Sequence, residues 1–439
     1  MKGTVVHDFC LPLRQNCENS RKMTQDGKIE LMAPAGSFEA LQAAIDNGAD
    51  SVYFGVTQLN MRARSSINFT IDDLYEIARR TCEAGVRSYL TLNTIIYDHD
   101  LSLIKTILNA AKEAGITAVI GADQAVMSYA REIGLELHIS TQVNITNAQT
   151  VKFYSLFADT MVLSRELSIS QVKKIVETIG KEEICGPSGR LVEIEIFGHG
   201  ALCMAVSGKC YLSLHSHNSS ANRGACKQNC RKKYTVIDQE SGFEIELDNE
   251  YMMSPKDLCT IGFLDQIVDA GVKVLKIEGR GRAPEYVATT TQCYREAIDA
   301  IAGGTYSPEK VDDWMERLAK VYNRGFWNGY YLGQKLGEWS SANGSQAIQK
   351  KIFIGKGKSY FSKVKIGEFT IDAYDVSVGD KVLVTGPTTG AKEFVVRELR
   401  ADDGTVVERA GKGTIVSMPV DFKVRPSDKL YKLVATEWS

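Results

Sequence analysis

The chain has 439 residues and a formal charge of −2, so it is not a polybasic nucleic-acid binder along its length; any contact with an acidic partner needs a local patch. Its 44% hydrophobic and 24% charged residues fit an ordinary globular protein, long enough for one large domain plus a smaller one. No apolar run reaches the roughly 18 residues of a membrane span.

Residues 1–29 form a polar leader without the apolar core of a signal peptide, which predicts a cytoplasmic chain. The ten cysteines are then expected as thiols or ligands rather than disulfides. Cys10 and Cys17 fall in this leader, which is expected to be poorly ordered.

From Leu31 onward, short apolar runs alternate with amphipathic helical patterns. Strands are predicted at 31–33, 51–55, 87–93, 117–123, 135–142, 160–165, 192–197 and 273–278. Helices are predicted at 38–47, 70–84, 100–114, 124–133, 147–157, 168–179, 261–270 and 284–301. Ser37 and Thr70 are N-cap candidates, and Gly48, Gly85, Gly115, Gly134, Gly180 and Gly271 read as helix stops. Eight such units in one stretch predict an α/β fold of the (β/α)8 TIM-like barrel class, with a doubly wound open sheet as the alternative.

The domains expected are a barrel over 30–305, a helical and aromatic connector over 306–350, and a C-terminal module over 351–439. That last stretch holds short Val/Ile-rich runs separated by Gly, Asp and Pro, as in a small all-β barrel. A hairpin is expected from 234–236 and 243–247.

A cysteine-rich segment, 199–260, interrupts the alternation after the seventh strand. Cys203, Cys210, Cys226 and Cys230 have the spacing C-x6-C-x15-C-x3-C. No acidic residue lies between Ala201 and Tyr234, while Lys209, Arg223, Lys227, Arg231, Lys232 and Lys233 do. Thiolates in a basic loop point to a metal or iron–sulfur cluster beside an anionic substrate. Zinc favours close ligand pairs, and only the second pair is close, so spacing separates the two weakly. Cys259 competes as the fourth ligand; Cys82, Cys185 and Cys293 read as structural.

The stretch from Glu195 to Ser213 (EIFGHGALCMAVSGKCYLS) resembles the signature of the collagenase-like peptidase family U32. LMAPAGSFEALQAAIDNGADSVYFG, NMRARSSINFT, SPKDLC and KIEGR are similar to the same family, over about Glu30 to Leu332. The resemblance implies an oxygen-independent hydroxylase that forms 5-hydroxyuridine at the wobble position of tRNA, with prephenate as hydroxyl source. It also implies a [4Fe-4S] cluster on Cys203, Cys210, Cys226 and Cys230. No Ser/His/Asp context, HExxH helix or nucleophile elbow supports a peptidase. The alternatives are hydroxylation of another RNA or of a small molecule, the peptidase of the family name, and a zinc-stapled RNA-binding protein without catalysis.

A dicarboxylate co-substrate calls for cations. Candidates at strand ends are Arg62, Arg64, Arg165, Arg280 and Arg282. Glu195, His199 and Lys276 are the candidate catalytic residues: Glu195 alternates with Phe197 toward the barrel interior, and Lys276 is its expected partner. Lys227, Arg231, Lys232 and Lys233 are the candidate RNA contacts, with the Lys-rich run 350–358 as a second patch and a guarded edge strand as its plainer reading.

Overall fold

The computed structural model describes residues 28–64, 68–235, 239–241, 251, 253–342 and 344–436. The leader with Cys10 and Cys17, Val236 and the 243–247 run of the expected hairpin lie outside the described residues.

Eight parallel strands close the barrel: β1 (Glu30–Pro34), β2 (Ser51–Phe54), β3 (Arg87–Leu92), β4 (Ala118–Gly121), β5 (Glu136–Ile139), β6 (Thr160–Val162), β7 (Glu193–Ala201) and, after a short β8 (Asp257–Cys259), β9 (Val274–Ile277). β9 pairs with β7 on one side and β1 on the other, with Phe197 opposite Lys276 and Leu31 opposite Leu275. The strands read as continuous apolar runs because helices cover their outer faces and side chains fill the interior.

The helices between them are α1 (Phe38–Asp46), α2 (Asp73–Glu83), α3 (Leu101–Ala114), α4 (Gln124–Glu132), α5 (Ala148–Tyr154) and α6 (Ile169–Lys181). Local chemistry sets their ends. Ser37 accepts from the Ala40 N–H, Ser168 and Gln171 form a capping box, and Thr70 and Asp73 bond reciprocally ahead of α2. Gly180 is not a stop; it lies inside α6, which continues to Lys181. Cys82 on α2 is disulfide-bonded, against the expectation of thiols throughout. Cys185 is an exposed loop thiol rather than a buried structural one, whereas Cys293 is buried.

β7 overruns the barrel by several residues, and β8 returns antiparallel to it, with His199 opposite Cys259. A register shift falls between Phe197 and His199. At Gly198 a Cβ would stand 2.7 Å from the Leu275 side chain, so the strand passes β9 closely there. The shift ends the in–out alternation at Phe197. The stretch 261–270 is a 3-10 turn followed by a short helix, α8 (Leu264–Asp269); α7 (Leu212–His217) lies in the cysteine segment. α9 (Pro284–Ala302) completes the barrel, and α10 (Pro308–Lys320) leads to β10 (Phe326–Trp327), which extends the sheet through β8.

The C-terminal module runs from β11 (Gln349–Phe361) through β12 (Ile366–Ile371), β13 (Asp375–Ser377), β14 (Lys381–Gly386), β15 (Gly390–Val395), β16 (Arg400–Ala401), β17 (Arg409–Gly411) and β18 (Ile415–Pro419) to β19 (Lys429–Ala435). Seven strands form one sheet in the order β15-β14-β19-β11-β12-β18-β16, and β13 pairs with β17. Val382 and Val384 near one end share a core with Val416 and Met418 near the other, so the sheet wraps a single interior. β11 is an inner strand, not a guarded edge. Lys351, Lys356 and Lys358 pair with Glu285, Asp372 and Glu368. The module docks on α1 and α9: Lys392 meets Asp46 at 2.7 Å and Lys351 meets Glu285 at 2.8 Å.

Candidate functional site

Residues 202–235 lie across the carboxyl end of the barrel as a lid. Little apolar packing holds it. It is stapled by polar contacts to the loops beneath. Arg223 donates to the Ile95 carbonyl at 2.7 Å and to Asp100 at 2.6 Å, and the Arg64 N–H donates to the Gly224 carbonyl at 3.1 Å. Asn144 donates to the Ser207 carbonyl at 3.2 Å. Gly224 has φ +78°, and a Cβ there would stand 2.2 Å from the Asn60 carbonyl oxygen, so only glycine lets the lid sit this close.

Under the lid is a cavity whose roof carries all four cysteines, Cys203, Cys210, Cys226 and Cys230. All four are free thiols; burial pushes the Cys230 pKa up, Arg231 opposes it, and the other three cysteines add to the rise. The Cys226 sulfur accepts the Gln228 N–H at 3.4 Å. Among the described residues no three His, Cys, Asp or Glu side chains converge on one point as a single ion requires. The four thiols line one cavity. Cys259 is elsewhere: it is buried on β8, with its thiol pushed up to about 11 by burial, and it donates to the Met315 sulfur at 3.6 Å. Cys230 is therefore the cysteine grouped with the first three.

The cavity walls come from the strand ends, as a barrel predicts. Arg62, Arg165, Lys276 and Arg280 line it together with one carboxylate, Glu278. Glu278 takes Arg62 at 2.9 Å and the Tyr53 hydroxyl at 3.1 Å. Burial would raise its pKa, but Arg62, Arg165 and Arg280 outweigh that and hold it at about 2. Arg280 is buried and donates to neutral oxygens, Thr91 Oγ1 at 2.8 Å and Asn60 Oδ1 at 2.9 Å. Burial lowers its pKa to about 10. Arg165 lies flat on Phe197, 3.8 Å from the ring centre, and donates to the Ala201 carbonyl at 3.0 Å. Its Nε is buried without a partner. Arg165 and Arg280 thus line the cavity with hydrogen bonds to neutral oxygens and share a single nearby carboxylate, Glu278, an excess of positive charge that suits an anionic ligand.

Lys276 forms the cavity floor and bonds Glu195 at 2.8 Å, the pairing expected from strand alternation. Glu195 is fully buried beneath it; burial works against its ionisation, but Lys276 and His138 hold its pKa below the usual value.

Other expected site residues are placed differently. His199 follows the register shift, so its ring points away from the cavity among Tyr286, Tyr294 and Phe326. Burial, aided by Arg282, lowers its pKa to about 3, and Tyr294 lies 3.3 Å from its Nδ1. It is a neutral packing histidine, not a group at the cavity. The Arg64 side chain is exposed and lines no part of the cavity. Arg282 stacks on Tyr322 at 3.6 Å and borders a separate cleft on the far side of the cysteines. Arg231 is a staple, donating to the Leu202 carbonyl at 2.6 Å and the Pro255 carbonyl at 2.7 Å. Lys227, Lys232 and Lys233 are exposed on the lid, with Lys233 over the Tyr251 ring.

Sequence reasoning left out Tyr53, Thr91 and Asn60, which position Glu278 and Arg280, and His138 and Glu136, which stand behind Glu195. The alternation Glu136, His138, Ser140 along one strand was the available signal for the last two.

The family description "Peptidase family U32" matches residues 36–341. A Porphyromonas gingivalis protein named "Collagenase" is 58% identical over 404 residues, covering 92% of this chain and 97% of its own length. A Bacillus subtilis "tRNA hydroxylation protein" is 30% identical over 415 residues, covering 92% of this chain and 95% of its own. A 23S rRNA 5-hydroxycytidine synthase of Escherichia coli is 29% identical over 424 residues, covering 94% of this chain and 60% of its own. Among the described residues no helix is long and apolar enough to cross a membrane.

Proposed function

The chain belongs to peptidase family U32, and from that premise we propose that it is an RNA hydroxylase forming 5-hydroxyuridine at the wobble position of tRNA. In this reading prephenate is the hydroxyl source and a [4Fe-4S] cluster is held by Cys203, Cys210, Cys226 and Cys230. One observation carries it: four free thiols roof a cavity whose walls are rich in cations. The name of the Bacillus subtilis relative, alike over nearly its full length, gives further support.

When bound, the cluster supplies a redox-capable centre at the roof. The chain's own residues do the rest. Arg165 and Arg280 bind the carboxylates of the co-substrate. Glu278 holds Arg62 and Tyr53 in position. Lys276 presents an ammonium at the floor, with Glu195 orienting it. Met204, Val206 and Tyr211 are exposed on the lid and offer apolar surface to an extruded base. Lys227, Lys232 and Lys233 supply phosphate contacts beside it.

The peptidase reading has the name of the Porphyromonas gingivalis relative in its favour. The bonding of Ser140 argues against a serine nucleophile in the cavity. Ser140 Oγ bonds Asn93 and Gln142, and among the described residues no imidazole stands beside it.

The test is nucleoside mass spectrometry of tRNA from a deletion strain, complemented by the wild-type gene. Loss of 5-hydroxyuridine-derived nucleosides, restored on complementation, is expected. Retention of those nucleosides, together with cleavage of a collagen peptide at catalytic rate by the purified protein, would overturn the hydroxylase in favour of the peptidase.

A further inference from the structure

The barrel interior below the cavity contains a ladder of ionisable groups where packed aliphatic layers are the norm. Lys276 Nζ lies 2.8 Å from Glu195 Oε1. Glu195 Oε2 lies 3.8 Å from His138 Nδ1, and His138 Nε2 lies 3.5 Å from Glu136 Oε1. Lys276, Glu195 and His138 are all buried, but the Glu136 side chain is 31% exposed at the opposite end of the barrel, where the strands begin. The series therefore runs from solvent at the barrel floor to the cavity under the lid.

A purely structural ion pair would satisfy its buried atoms. Here Glu195 Oε2 and both ring nitrogens of His138 are buried without a hydrogen-bond partner. The contacts at 3.5 and 3.8 Å are just beyond bonding distance, a gap that small side-chain rotations close in either direction.

The surrounding charges make a protonated His138 affordable. The Tyr89 ring packs on it at 4.5 Å, and the Tyr89 hydroxyl donates to Glu30, which also pairs with Arg87. Glu193 adds a carboxylate near Arg87. From β4 come Ala118 and Ile120, and from β6 residues 160–162, none of them charged. Glu30, Glu136, Glu193 and Glu195 then outnumber Arg87 and Lys276, and a protonated His138 offsets part of that negative charge. Burial alone would lower the His138 pKa, but Glu136 and Glu195 raise it to about 9.

We propose that Glu136, His138, Glu195 and Lys276 form a proton relay connecting solvent at the barrel floor with the cavity under the lid. When Lys276 gives a proton to an oxygen of the bound ligand, Glu195 passes it the proton received from His138. His138 is then left with its remaining proton on Nε2, facing Glu136; a turn of the ring presents the bare Nδ1 to Glu136, which refills it from solvent, and the turn back restores the starting imidazolium. The net transfer is one proton from bulk solvent to the cavity, and the four residues return to their starting states. His138 and Glu136 are positioning residues; Lys276 alone touches the ligand. The relay does not depend on which ligand the cavity takes.

The test is solvent exchange of the His138 ring N–H protons, read by NMR on the full chain labelled with 15N-histidine and assigned by loss of the signal in H138Q. A relay opens at both ends, so E136Q and E195Q should each slow the exchange, and the double variant E136Q/E195Q should slow it at least about tenfold. If E195Q fails to fold, E195Q/K276M, which removes both charges, replaces it. A response to only one end makes His138 a dead end and overturns the relay, and so does a response to neither.

Discussion

The lid and the C-terminal module are both additions to the barrel, yet they are held in opposite ways. The module wraps its own apolar core, in which Ile354, Phe369 and Leu430 are fully buried. The lid adds only Leu202 to the barrel core, and several of its large apolar side chains face outward. Its order comes from Arg223, Arg231, close backbone approaches and, in the proposed holo state, four thiolates on one cluster. A segment without a core takes its structure from what it binds.

The largest expected effect follows from that contrast. Cys226→Ser should drop iron from about four per chain to near zero and make residues 202–235 sensitive to protease, while the barrel and module keep their far-UV signal. Iron analysis and limited proteolysis read both. Next, Leu430→Ala should destabilise the module by about 2–5 kcal/mol through the cavity it leaves, lowering its unfolding transition without changing iron content. If iron falls in step, the two regions are not independent. Third, Arg223→Ala removes the charge-assisted contacts to the Ile95 carbonyl and to Asp100, leaving Asp100 with the Tyr97 N–H and His99, a cost of about 1.5–3 kcal/mol confined to the lid. Faster cleavage within the lid, with an unchanged barrel transition, is the expected result.

A smaller effect concerns pH. Glu278 has its pKa held at about 2, below its ordinary value of 4.5, so it stabilises the fold above pH 4.5 and that contribution is lost as pH falls toward 2. Glu278→Gln should flatten the fall of Tm in this window; an identical acid slope in both proteins would show that Glu278 contributes nothing there. Smallest of all, Cys259→Ala should leave iron content unchanged, because this thiol lies outside the cavity. Loss of iron would return it to the ligand set.

Much of the barrel was legible because each unit carries its own punctuation. Ser37, Asn147 and Ser168 cap helix starts, whereas the helix expected from Thr70 begins at Asp73 with Asp72 as its N-cap; Gly115, with φ +86°, marks a stop. The Glu195–Lys276 pair followed from strand alternation alone. Alternation also misled: His199 belongs in the interior only if β7 is regular, and the shift past Phe197 depends on how closely β9 packs there. No local pattern announces such a contact. Arg231 failed for a related reason. A basic residue in a polar loop looks solvated until the chain folds back and presents the carbonyls of Leu202 and Pro255 to it.

The docking of the module on α1 and α9 bears on how the barrel assembles. These helices follow the first and last barrel strands, so β15 lies outside the seam where β1 meets β9. That pairing joins residues about 240 positions apart, the kind of long loop closure that slows folding. β19 is an inner strand of the module sheet, so the surface that spans the seam is incomplete until Lys429–Ala435 has been synthesised. The module therefore acts as a late clasp: a nascent barrel can form its early β/α units in order, but its closure is reinforced only after the last strand of the neighbouring sheet has paired.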